Sequence, residues 1–240
     1  VPRVLLLVPS ATYRAEDFLD AARALGIDVV VGCEEPNALS EIMGTRALQL
    51  PLDDPVASAE RIIRHDAVAP LDAIVAVDDQ GAVAAAEASE RLGLPHNPVS
   101  AVAATRDKLL MRSLLAVNEV PQPDFRSIEA GASDGEIAGL AQELGLPCVF
   151  KPTSLSASQG VLRADTPDEA VMVARRVRRI ADSCGVAHDA PLLVERFVPG
   201  PEVALEGLVR EGRLDVLAVF DKPDPLDGPA FEETIYVTPS

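Results

Sequence analysis

The first part of the chain alternates short aliphatic runs with longer stretches of helical periodicity. Residues 3–8 are a Val and Leu run stopped by Pro9-Ser10, the pattern of a buried strand. Phe18, Ala21, Ala22 and Leu25 recur at i, i+3, i+4 and i+7 and predict a helix that Gly26 ends. Further strands are predicted at 28–31, 47–50 and 72–77, with helices at 55–64 and 81–92, the last closed by Gly93. Strands alternating with helices pair in parallel through right-handed crossovers, which predicts a doubly wound layer.

Leu94-Pro95-His96-Asn97-Pro98 breaks this pattern, and a domain boundary is expected at 96. Two short helices come next, at 100–104 and 107–117, then Pro121 and Pro123 mark a turn into a new unit. That unit reads as a helix at 134–144, a strand at 147–151 and a strand at 160–163. A long helix then opens with Thr166 as cap, Pro167 at its first position and acids in its first turn. Its apolar face carries Ala170, Val173, Ala174, Val177, Ile180, Ala181 and Cys184, which leaves Arg175, Arg176, Arg178 and Arg179 on a solvated face. Beyond Pro191 the pattern becomes strands, with Gly212 turning a hairpin between 202–210 and 213–220.

Composition narrows the partners. Apolar residues make up 48 %, enough for a well-packed core. The net charge of −17 argues against nucleic acid and anionic membranes as partners, although a phosphate site needs only local donors. Aromatic residues are 3 % with no Trp, which leaves little for base stacking along a single strand. Cys33, Cys148 and Cys184 are scattered and odd in number, so they read as reduced, buried thiols of a cytoplasmic protein. The isolated His65, His96 and His188 give no zinc pattern, and no apolar run approaches the ~18 residues of a membrane span.

Neither Gly-x-Gly-x-x-Gly nor a P-loop occurs; the opening turn is Pro9-Ser10-Ala11-Thr12-Tyr13, where Ser10 and Thr12 either hold a small ligand or cap the next helix. Lys108 stands in a first helical turn, against the macrodipole, with Arg112 one turn on. A bound polyphosphate would reverse that repulsion; a solvent-facing Lys beside Asp107 is the alternative. Lys151 ends the apolar strand Pro147-Cys148-Val149-Phe150, where it either snorkels to solvent or meets an anion. The polar stretch from Thr153 through Ser154, Ser156 and Ser158 to Gly160 is either a surface turn or a nest of N–H donors for phosphate. Glu202 and Glu206 share one face of a strand, suited to ribose hydroxyls or simply to solvent.

This ordered set, with Leu192-Leu193-Val194-Glu195-Arg196-Phe197-Val198 and Pro199-Gly200-Pro201-Glu202, resembles the ATP-grasp superfamily, in particular its carboxylate–amine (amino-acid) ligases. The resemblance covers essentially the whole chain. It implies an α/β protein: a doubly wound parallel domain at 1–96, linking helices at 97–126, a small ATP-grasp lid subdomain at 127–197 and the start of the large ATP-grasp subdomain at 198–240. By this likeness Lys108 and Lys151 would contact the phosphates of ATP, and the segment from Ser154 to Gly160 would be the mobile phosphate lid. Glu195 and the backbone of Phe197 and Val198 would meet the adenine edge, and Glu202 the ribose. Lys222 would lie near the γ-phosphate or the substrate carboxylate. The tail, with Glu232 and Glu233, looks like that of members joining an amino acid to an amine.

The function implied by this likeness is formation of an acyl phosphate from ATP and its attack by an amine, with small-molecule carboxylate and amine substrates. The alternatives are a carboxylase or purine-pathway ligase, or a nucleotide-binding module without chemistry. A homodimer is open. The lid carries only Gly160 where many members have several glycines. The family's magnesium ligands have no match after Phe220 and are expected beyond Ser240, so the chain reads as a fragment without its metal site and inactive by itself.

Overall fold

The computed structural model describes residues 1–10, 12–35, 46–224, 227–231 and 234–240. Its first unit, Val1–Arg106, is organised by the aliphatic run at the start of the chain. Strands β1 (Arg3–Leu7), β2 (Asp28–Cys33), β3 (Ala47–Gln49) and β4 (Ala73–Ala76) form a parallel sheet in the order β3-β2-β1-β4. Successive side chains of β1 point to opposite faces, and both faces are covered. Leu5 and Leu7 pack with Val30, Leu50 and Ile62, while Leu6 and Val8 pack with Val29, Val31 and Ala22. A strand buried on both sides needs a continuous apolar run, which is why β1 does not alternate.

The helices of this unit are α1 (Ala15–Leu25), α2 (Pro55–Asp66), α3 (Ala82–Leu92) and α4 (Val99–Arg106). Asp54 caps α2 by accepting from Ala57 N at 3.0 Å, with Pro55 at the first helical position. The doubly wound layer expected from the sequence is therefore present. Its opening turn is held internally. Ser10 donates to Glu34 through both its N–H and its hydroxyl, and Thr12 Oγ1 accepts from Arg14 N. Ala11 lies outside the described residues.

The second unit, Asp107–Ser240, begins with α5 (Lys108–Val117), whose cap Asp107 accepts from Leu109 N and Leu110 N. Strands β5 (Phe125–Ile128), β6 (Cys148–Pro152), β7 (Leu162–Ala164) and β8 (Leu192–Arg196) form an antiparallel sheet in the order β5-β8-β6-β7. The sequence gives no warning of β5, because Phe125-Arg126-Ser127-Ile128 is short and half polar. Helices α6 (Asp134–Leu144) and α7 (Pro167–Ser183) cover one face of the sheet. Phe150, Leu192, Val194 and Val177 meet there in a dry core. A Ser133–Glu136 capping box starts α6, and Thr166 starts α7 as expected.

One arginine of α7 departs from the solvated face expected of it. Arg178 is half-buried and donates to the carbonyls of Ile128 and Glu129, at 3.2 and 2.6 Å, so it ties the helix to the end of β5. Strands β9 (Glu202–Arg210) and β10 (Arg213–Lys222) make the predicted hairpin. Its turn places Glu211 at φ 51° and Gly212 at φ 76°, the left-handed pair that a two-residue hairpin requires. Alternation along β9 reads as one buried face, yet Val203, Leu205 and Val209 are all more than half exposed.

Candidate functional site

The face of the antiparallel sheet away from α6 and α7 carries the charged residues. Period-two alternation sends Cys148 and Phe150 of β6 into the helix-covered core and leaves Val149 and Lys151 on the opposite face. On β8, Leu192 and Val194 face the core, so Leu193 and Glu195 share a face with Lys151. Lys151 pairs with Leu193 and Val149 with Glu195 in the register, which makes Lys151 and Glu195 diagonal neighbours within reach of long side chains. Their ammonium and carboxylate form an ion pair, Lys151 Nζ to Glu195 Oε2. The other oxygen, Oε1, accepts from Arg112 Nε of α5.

Glu195 is only 3 % exposed. Stripping a carboxylate of water costs several kcal/mol, and one cation in contact at an effective dielectric of about 20 returns roughly 4 kcal/mol. Because the cations are themselves mostly buried, one partner leaves much of that cost uncompensated, and the second adds to the return. The protonation equilibrium agrees in direction: burial pushes the Glu195 carboxyl up, but Arg112 and Lys151 together outweigh it and hold the group below the usual carboxylate range. The carboxylate stays ionised, and three charges are locked against one sheet face.

A cavity of about 370 Å³ opens on this face, within the range of small-molecule sites. Lys108, Lys151, Ser156, Ser158, Glu195, Phe197, Val198 and Glu202 of the residues singled out in the sequence all line it. Ser154 and Gly160 do not line it, although both belong to the same loop. Lys108 N donates to Thr153 O at 2.8 Å and Lys108 Nζ to Leu155 O, which fastens the loop's first residues to α5. At the loop's end Gly160 adopts φ +71°, and a Cβ there would lie 2.9 Å from Pro152 Cγ, so glycine is required on both counts. Between them Ala157 and Ser158 also hold positive φ, at 52° and 56°.

The far wall is aromatic. The Phe197 and Phe231 ring centroids are 6.3 Å apart, and Arg163 lies over Phe197 at 4.5 Å. Arg163 also takes Asp165 at 2.7 Å and the carbonyl of Asp227 at 2.6 Å, which draws the segment carrying Phe231 to β7. Glu202 is engaged by the ammonium of Lys222, and Lys222 lies 5.4 Å from the Tyr236 ring centroid. Glu232 and Glu233 fall outside the described residues.

One feature escapes a reading of the sequence alone, and another is present there but takes its meaning from the fold. Arg112 enters there only as a repulsive neighbour of Lys108, yet it is the second cation of the buried cluster. The other feature is a count. Lysine occurs only three times, at 108, 151 and 222, among 21 basic residues. Lys108 and Lys151 line the cavity, and Lys222 lines a neighbouring one that shares Gly200 and Glu202 with it. A chain that otherwise uses arginine keeps its lysines for this region.

Among the described residues no group of three or more His, Cys, Asp or Glu side chains is gathered to hold a metal ion. Nor does any described helix have the length and apolarity to cross a membrane.

Fold and site together define the class: a parallel α/β layer followed by an antiparallel sheet with a cationic cavity on its open face. Residues 19–96 match the ATP-grasp N-terminal domain and residues 144–240 the ATP-grasp domain, and the chain belongs to the ATP-grasp superfamily. Alanine–anticapsin ligase of Bacillus subtilis is 28 % identical over 197 residues, covering 75 % of this chain and 40 % of the relative. D-alanine–D-alanine ligase of Desulforudis audaxviator (strain MP104C) is 36 % identical over 117 residues, 48 % of this chain and 35 % of the relative. The chain thus spans well under half the length of these relatives. The crystal structure of an L-amino acid ligase from Bacillus licheniformis shares the fold, with a TM-score of 0.76 and 24 % identity over 100 % of this chain and 55 % of that one.

Proposed function

We propose that this chain supplies the nucleotide grip of an ATP-dependent ligase that joins a carboxylate to an amine. The observation that carries the reading is the convergence of Lys108, Arg112 and Lys151 on one cavity that Ser156 and Ser158 of the loop also line. The residues fit a polyphosphate in charge. Lys108 and Lys151 neutralise polyphosphate charge, and the segment from Ser154 to Gly160 lies over it and excludes water. The Phe197 carbonyl and the Val198 backbone would serve the base edge, next to the aromatic wall, since the Phe197 N–H is already donated to Pro147 O at 3.0 Å. Glu202 serves the ribose, which requires its exchange of Lys222 for hydroxyl donors.

The adenine-edge role expected of Glu195 is narrowed by its surroundings. Both of its oxygens already serve Arg112 and Lys151, so it acts mainly as the counter-ion of the phosphate lysine. Bound ATP would supply the γ-phosphoryl group that turns the carboxylate into an acyl phosphate, ready for attack by the amine with release of phosphate. The protein's share of such a transfer is positioning and charge neutralisation. The work proposed for these residues is to hold and orient the nucleotide. An amino acid as one substrate is favoured over a carboxylase or purine-pathway reaction, because both sequence relatives carry alanine in their names.

Isothermal titration calorimetry with ATP tests the reading. The chain is expected to bind ATP, and Lys151→Met to weaken binding at least tenfold while the fold is kept. Failure of the unaltered chain to bind ATP at millimolar concentration would overturn the proposal. In the full-length protein, phosphate release that depends on an added amino acid separates a ligase from a module that only binds.

A further inference from the structure

Arg112 occupies an unusual position for a cation beside a phosphate site. It lies one turn after Lys108 on α5, so both side chains leave the same face of the helix and both line the cavity. Yet its Nε is taken up by Glu195, and Gln122 Nε2 holds its backbone carbonyl at 2.8 Å. The side chain is mostly buried, with 18 % of its surface exposed, against 21 % for Lys151 and 4 % for Glu195. Of the elements packed against Glu195, α5 presents Arg112 and β6 presents Lys151, while its register partner on β5 is the uncharged Phe125.

The charge count gives this arrangement a consequence. A lone Lys151–Glu195 pair would be neutral, and an approaching polyphosphate would have to compete with Glu195 for the ammonium. With Arg112 on the second oxygen, one carboxylate is shared by two cations and the cluster keeps a net positive charge. A guanidinium suits this task because it stays charged throughout the working pH range and its planar Nε–H can hold one carboxylate oxygen while the other is left to Lys151.

We propose that Arg112 is a positioning residue for the phosphates: by engaging Glu195 it keeps the Lys151 ammonium from being neutralised and leaves it available to a bound polyphosphate. This rests on the reading of the cavity as a polyphosphate site. Glu195 and Arg112 then oppose each other. The carboxylate fixes Lys151 in place and weakens its charge, and the guanidinium restores that charge.

Inorganic tripolyphosphate is the probe, since it reports the phosphate arm without a base or ribose. Its affinity is measured by calorimetry on the unaltered chain, Arg112→Met, Glu195→Gln and the double variant, with thermal melting to establish which are folded. Arg112→Met is expected to bind about tenfold more weakly. Glu195→Gln is expected to bind severalfold more tightly, and the double variant at least as tightly as the unaltered chain. A purely structural role for the cluster would weaken both single variants, and that result would overturn the proposal. Should Arg112→Met not fold, the sign of the Glu195→Gln change decides alone. Absence of both ATP and tripolyphosphate binding by the unaltered chain would instead refute the polyphosphate site itself, and this inference with it.

Discussion

In the parallel sheet of the first unit, Leu5, Leu7, Val30 and Val31 are buried to 1 % exposure or less, and charge is kept at the strand ends. Arg3 meets Asp28 at 2.8 Å where β1 and β2 begin, with both side chains about a quarter to a third exposed. The antiparallel sheet of the second unit starts its strands with the same aliphatic residues but finishes two of them differently. After Leu192-Leu193-Val194 comes Glu195, 3 % exposed, and after Val149-Phe150 comes Lys151. The first sheet uses its strands for packing alone. The second gives one face to packing and the other to a cluster of three charges, where the candidate site lies.

Cutting into either core is expected to have the largest effect and to treat the two sheets alike. Phe150 and Leu5 are both fully buried. Phe150→Ala should cost about 3–5 kcal/mol and Leu5→Ala about 2–5 kcal/mol in urea unfolding, through lost burial and residual cavities. The ion pairs should then separate the sheets. Arg112→Met leaves a buried carboxylate one partner short and should cost about 3 kcal/mol, whereas Arg3→Met removes an exposed pair worth about 1 kcal/mol or less. Equal losses at the two sites would remove the distinction between rim and interior charge.

A smaller effect comes from protonation. Burial raises the Glu195 pKa, Arg112 and Lys151 together lower it by more, and the net shift is downward. A carboxylate with a depressed folded pKa contributes stability above its unfolded value of about 4.3, and that contribution is lost as pH falls through the lower folded value. The unaltered chain should therefore lose more stability than Glu195→Gln between pH 7 and pH 3. Urea midpoints at the two pH values check this, and parallel losses would show that the cluster does not stabilise the fold through ionisation.

How much of the molecule is legible in the sequence differs between the same two regions. Strands β1 and β2 of the first unit are visible because they are aliphatic runs buried on both faces, and the glycines at 26 and 93 stop helices where the structure stops them. In the second unit Lys151 stands out because a lysine at the end of an apolar strand needs a reason, and Lys108 because it opens a helix. Edge strand β5 is hidden because only Ile128 of its four residues is buried. The role of Arg112 is invisible for a different reason: its partner lies 83 residues away, and no local period encodes a contact between α5 and β8. The scarcity of lysine is a further signal in the sequence that marks the region without help from the fold.

That scarcity also provides the most direct test of the central claim, that Lys108 and Lys151 hold a polyphosphate. Amine-selective acylation followed by peptide mass spectrometry reads each of the three lysines separately, with ATP, with AMP or with neither. Protection of Lys108 and Lys151 by ATP, and much less by AMP, is the expected result. Equal labelling of both lysines with and without saturating ATP would contradict the claim.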